Sequence, residues 1–132
     1  MRSDNNHSSA KFEQFQAVFV DLKAILSRHE PGLRVVHDTS EHYYLDTPFR
    51  MKNGKQLYFG AVKINRNYVS YHLMPLYVNL QLLDEVDTGL LKRMRGKSCF
   101  NFRNVKEIPR QDLVSLTRRG YDFYIEAGYI SD

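Results

Sequence analysis

Between Ala10 and Arg28 the apolar side chains fall at Phe12, Phe15, Phe19, Leu22 and Ile25, with Val18 and Leu26 beside them. Steps of three and four residues place these on one stripe, so the spacing predicts an amphipathic helix. Ser8 or Ser9 is positioned to cap its first amides, and Pro31-Gly32 stops it. The period then changes. Leu33 to His37 and His42 to Asp46 read as short strands joined through Asp38-Thr39-Ser40, and Thr47-Pro48 breaks the second. Lys52-Asn53-Gly54-Lys55 is a turn signal. Gln56 to Ile64 and Tyr68 to Leu73 are dense in aromatic and β-branched residues and predict a hairpin closed by Asn65-Arg66-Asn67.

Met74-Pro75 ends the hairpin. Asn79 to Val86 predicts a short helix, and Asp87-Thr88 caps a second one that runs to Met94 before Gly96. Ser98 to Arg103 predicts the last strand. Pro109 suits the first position of a C-terminal helix to Ala127, with Gly128 just past its end. There Leu113, Leu116, Thr117, Gly120, Phe123 and Tyr124 share one side. The order α-β-β-β-β-α-α-β-α lacks the strand–helix alternation of a parallel sheet. The expected class is therefore α+β with two layers, an antiparallel sheet of about five strands packed against the N- and C-terminal helices. A polar leader over residues 1–9, expected to be disordered, precedes a single domain over residues 10–130.

Strict alternation divides each strand between two faces. Phe59, Ala61, Val69, Tyr71, Leu73, Phe100 and Phe102 are expected on the helix-covered side. Tyr58, Gly60, Val62, Ser70 and His72, with Tyr68, Cys99, Asn101 and Arg103, are expected on the open side, where Gly60 leaves room. An aromatic wall with converging polar groups suits a small molecule or an anion. Tyr58, Tyr68, Ser70, His72, Asn101 and Arg103 are accordingly the candidate ligand-binding residues. The plainer reading is a solvated sheet face covered edgewise by its tyrosines.

Composition narrows the class. The 132 residues are 42% hydrophobic and 13% aromatic, enough for one packed core. A single cysteine, Cys99, forms no internal disulfide, and no Cys/His spacing matches a zinc site. There is no apolar signal-peptide core and no stretch long enough to span a membrane, so the reading is a cytoplasmic protein without membrane contact. The net charge of +4 is uneven: Lys92 to Arg119 holds nine basic side chains against Glu107 and Asp112. Protein or nucleic-acid binding through this segment is one alternative, although Phe100 and Phe102 are better used in the core than as a stacking platform.

Chemistry-bearing motifs are sparse. Gly96-Lys97-Ser98 resembles the end of a phosphate loop, but Leu91 stands where the earlier glycine belongs. His37, Asp38, Glu41, His42 and Asp46 form a cluster of metal-ligand type, and Asp38, Glu41, His42 and Asp46 are the candidate iron ligands. Asp84, Glu85 and Asp87 make a second acidic group. Cys99 and His72 are a conceivable thiolate pair without an evident orienting acid. No catalytic constellation emerges, so the expectation is a non-enzymatic binding module without a resident cofactor.

The runs Leu57-Tyr58-Phe59-Gly60-Ala61-Val62-Lys63-Ile64 and Asn67-Tyr68-Val69-Ser70-Tyr71-His72-Leu73-Met74-Pro75 resemble the YdhG-like family of domains of unknown function. Tyr43-Tyr44-Leu45-Asp46-Thr47-Pro48, Leu90-Leu91-Lys92-Arg93-Met94 and Gly96-Lys97-Ser98-Cys99-Phe100-Asn101-Phe102 extend the resemblance over roughly Ala10 to Ile130. It implies a compact antiparallel sheet with flanking helices. Relatives described as frataxin-like iron chaperones would imply iron binding by surface carboxylates. The chain departs from those relatives in lacking their tryptophan-glycine-x-proline segment, since it has no tryptophan.

Overall fold

The two periods read from the sequence become two layers in the computed structural model, which describes residues 2–131, with side chains from Ala10 onward. The expected leader, residues 1–9, lies outside the residues described with side chains. Helix α1 (Arg2–Leu26) buries Phe15, Val18, Phe19, Leu22, Ile25 and Leu26. Phe12, expected on the same stripe, is instead 57% exposed. A 3-10 turn over Ser27–Gly32, with Pro31 inside it, leads to the sheet.

Six strands follow: β1 (Arg34–Asp38), β2 (His42–Arg50), β3 (Gln56–Ile64), β4 (Val69–Leu73), β5 (Met94–Arg95) and β6 (Cys99–Phe102). They pair antiparallel throughout in the order β1-β2-β3-β4-β6-β5. Helix α4 (Arg110–Glu126) lies beside α1 and supplies Leu113, Leu116, Thr117, Gly120 and Tyr124 to the same core. The α+β antiparallel class is thus observed, with one strand more than expected. Among the described residues no helix is long and apolar enough to cross a membrane.

Departures from the expected elements have local causes. Strand β2 continues past Thr47-Pro48 because the buried Thr47 hydroxyl donates to the Leu57 carbonyl at 2.8 Å. Pro48, which has no N–H, falls in the gap between the Asp46–Tyr58 and Arg50–Gln56 pairs. The helix expected over residues 79–86 is replaced by α2 (Pro75–Val78) and a 3-10 turn (Leu80–Leu83), with Asn79 capping the turn. Helix α3 (Thr88–Leu91) stops early, so Met94 and Arg95 form an edge strand on β6. Pro109 precedes α4, and its carbonyl accepts the Leu113 amide at 3.0 Å.

The strongest correction concerns β3. Leu45 pairs with Gly60, but the next pair is Asp46 with Tyr58, so Phe59 is an extra residue in the ladder. Such a bulge reverses the alternation beyond it. Val62 is therefore in the helix-covered core opposite Tyr71, and Ala61, expected in that core, lies opposite His72 on the other face. Gly60 also turns toward the helices: a Cβ built on it would lie 3.1 Å from Leu26 Cδ1 and 2.8 Å from the His72 carbonyl. It leaves room for α1, not for a ligand.

Candidate functional site

With α1 and α4 on one side, the other sheet face remains open, and two arrangements divide it. The first is a row of rings across four strands. His37 stacks on His42 with centroids 4.8 Å apart, and both meet Tyr44 edge-on. Tyr44 stacks on Tyr58 at 4.5 Å, and Tyr58 meets His72 edge-on at 5.0 Å. Register explains the row, because His42, Tyr44 and Asp46 alternate on β2 and Tyr58 pairs with Asp46. These rings spend their faces on one another, which leaves little for a base or other planar ligand to stack on.

The row ends in a polar pair. His72 Nε2 and Ser98 Oγ share a hydrogen bond of 2.6 Å. Burial lowers the His72 pKa and keeps the imidazole neutral. A hydroxyl on an imidazole is the first contact of a nucleophile–base pair. Ser98 is buried, however, and among the described residues no carboxylate hydrogen-bonds the His72 ring. Neighbouring Cys99 is held up in pKa by burial, partly offset by hydrogen bonds from the Phe100 backbone and the Ser70 side chain. Its thiol is correspondingly slow to become the thiolate that reacts.

The second arrangement lies at the opposite end of β4 and β6. Tyr68, Arg93, Arg95, Asn101, Arg103 and Glu107 enclose a pocket of about 350 Å³. Strand pairing assembles it. The Asn101 amide donates to the Arg93 carbonyl at 2.9 Å, and Arg95 pairs with Cys99, so the edge strand delivers two guanidiniums beside β6. Glu107 enters from a 3-10 turn (Val105–Glu107): its Oε1 accepts the Arg103 amide at 2.6 Å, and its Oε2 lies 3.4 Å from Arg93 Nη1. Arg95 Nη1 donates to the Met94 carbonyl at 2.8 Å. Beneath its surface the Nε of Arg93 and the Oδ1 of Asn101 are buried without a hydrogen-bond partner among the described residues. Arg103 also lines a larger cavity of about 530 Å³ with Lys11, Gln14, Phe15 and Asn67, between α1 and the β3–β4 loop.

The six expected ligand-binding residues therefore separate. Tyr68, Asn101 and Arg103 line the pocket, while Tyr58 and His72 belong to the ring row. Ser70 lies between them, paired with Asn101 and accepting a bond from Asn65 Nδ2 at 3.2 Å. Sequence reasoning offered Arg93 and Arg95 only within the basic segment of residues 92–119, as phosphate contacts of a nucleic-acid or protein surface, with Glu107 as an opposing acid. It did not join them to this pocket. Arg93 and Arg95 do show the two-residue spacing of one strand face, but the helix expected to run to Met94 hid that signal. Sequence reasoning missed Ser98.

The expected iron ligands do not share a point. Asp38 is paired with Lys23 of α1 at 2.6 Å. His42 and Asp46 share the open face but stand four residues apart on β2, about 13 Å along an extended strand. Glu41 lies in the turn, exposed. Asp46 is instead a desolvated carboxylate: burial raises its pKa against the pull of Arg34, and its Oδ1 has no partner. The basic segment is likewise dispersed. Arg110 pairs with Asp21, Arg118 with Asp122, and Arg119 donates to the Leu82 carbonyl at 2.9 Å, away from the pocket.

Comparison with family models, curated proteins and solved structures returns no match.

Proposed function

We propose that this chain is a non-enzymatic binding module that takes a small anionic ligand in the pocket of Tyr68, Arg93, Arg95, Asn101 and Arg103. One observation carries the reading: three arginines and a single carboxylate line one concavity. Arginine forks match the oxygens of carboxylates and phosphates. A pocket of about 350 Å³ sits at the small end of ligand sites, which suits a metabolite. The YdhG-like resemblance is compatible with this reading but names no ligand.

The test is calorimetric titration of the full chain with sulfate at low ionic strength. Saturable binding is expected, weakened about ten- to a hundredfold in Arg103→Gln, since a charge-assisted hydrogen bond contributes roughly 1.5–3 kcal/mol. Arg103 is exposed, so the substitution leaves the fold intact. Absence of saturable heat with sulfate, phosphate and succinate alike would overturn the proposal.

A further inference from the structure

We infer that the pocket selects a dianionic phosphate monoester over a monocarboxylate, a refinement that rests on the pocket being an anion site. Charge comes first. Arg93, Arg95 and Arg103 are permanent cations, and Glu107 is the one acidic side chain lining the pocket. A monocarboxylate leaves half of the resulting excess uncompensated. A phosphate monoester, at about −1.5 to −2 near neutral pH, matches it. Both Glu107 oxygens are turned to the protein, toward the Arg103 amide and Arg93 Nη1, so the acid braces the cations and does not compete for the ligand's space.

The second constraint comes from the wall of the pocket. Tyr68 lines it beside the arginines, and unlike Tyr44 and Tyr58 it has no ring partner among the described residues, so its face is free to cover the organic part of an ester. A polyanionic polymer would need a longer basic track than these three arginines. Arg110, Arg118 and Arg119 do not supply it, being engaged elsewhere.

The experiment titrates the full chain with ribose 5-phosphate, sulfate and acetate at pH 5.5 and 7.5. Monoester phosphates lose their second proton with a pKa near 6, so ribose 5-phosphate should tighten about fourfold across this interval. Sulfate is dianionic throughout and should not change, which controls for titration of the groups facing the pocket, Tyr68 and Glu107 beside the three arginines. Equal pH responses for the two anions, or acetate binding as tightly as ribose 5-phosphate, would each overturn the inference while the anion site itself stands. If sulfate and ribose 5-phosphate both fail to bind, the site and the inference fall together.

Discussion

Gly60 separates the observed β3 from the one that strict alternation describes. In the structure its missing side chain points at α1, where a Cβ would stand 2.8 Å from the His72 carbonyl and 3.1 Å from Leu26 Cδ1. The leucine methyl can rotate aside. The carbonyl is backbone of β4 and cannot move without dragging the ladder. Overpacking of this kind costs about 1–3 kcal/mol. The lower unfolded-state entropy of alanine returns about 0.4–1 kcal/mol. Gly60→Ala is therefore expected to lose roughly 1–2 kcal/mol. With an unfolding entropy of about 2.1 cal/mol/K per residue over 132 residues, each kcal/mol lowers Tm by about 4 °C. The expected drop is about 4–8 °C, read by circular dichroism, with sulfate affinity unchanged because the pocket lies at the other end of β4. An unchanged Tm together with weakened anion binding would put Gly60 on the open face and remove the bulge.

Two further outcomes follow from buried polar groups. Thr117→Val strips the partner from the buried Tyr71 hydroxyl, which meets Thr117 Oγ1 at 2.7 Å, and should cost about 1–3 kcal/mol in urea unfolding. Tyr71→Phe added to that variant should cost much less than Tyr71→Phe alone; strictly additive losses would mean that the pair does not interact. His29, His42 and His72 all have their pKa lowered from about 6.5, in each case chiefly by burial. Below that value the unfolded chain binds more protons than the folded one, so stability is full above pH 6.5 and declines as pH falls. Asp46, whose pKa is raised, acts in the opposite sense nearer its ordinary range. Urea midpoints should therefore fall between pH 7.5 and 5.5, less steeply in His72→Gln; equal midpoints at the two pH values would contradict the neutral buried imidazoles.

Part of the candidate site was legible in the chain. Tyr68, Asn101 and Arg103 were readable because β4 and β6 alternate without interruption, and their core residues Val69, Tyr71, Phe100 and Phe102 set the phase of Asn101 between them and of Tyr68 and Arg103 at the strand ends. Arg93 and Arg95 were legible only as members of a basic segment, and Glu107 as an acid within it, not as neighbours of those three. They reach the pocket through a two-residue edge strand and a 3-10 turn, elements too short to leave a periodic signature. The acidic and histidine cluster between His37 and Asp46 shows the converse. Closeness in sequence suggested a shared site, but the pleat and the Lys23 pairing send Asp38 toward the helices while His37 and His42 stack on the other face.

The chain by itself determined what depends on neighbours a few residues away: the apolar stripe of α1, the buried side of α4, the β3–β4 hairpin and the antiparallel α+β class. These follow from local periodicity and turn chemistry, which act within a segment whatever it later packs against. Only the tertiary structure decided where that periodicity breaks and which surfaces meet. The bulge at Phe59 is a property of the β2–β3 register, not of β3 alone, and it moves Gly60 and Val62 inward and Ala61 outward. Likewise the convergence of Arg93 and Arg95 with Tyr68, Asn101 and Arg103 exists only because β6 inserts between β4 and β5. Pairings between segments distant in the chain are selected by burying the whole core at once, and no single segment carries that information.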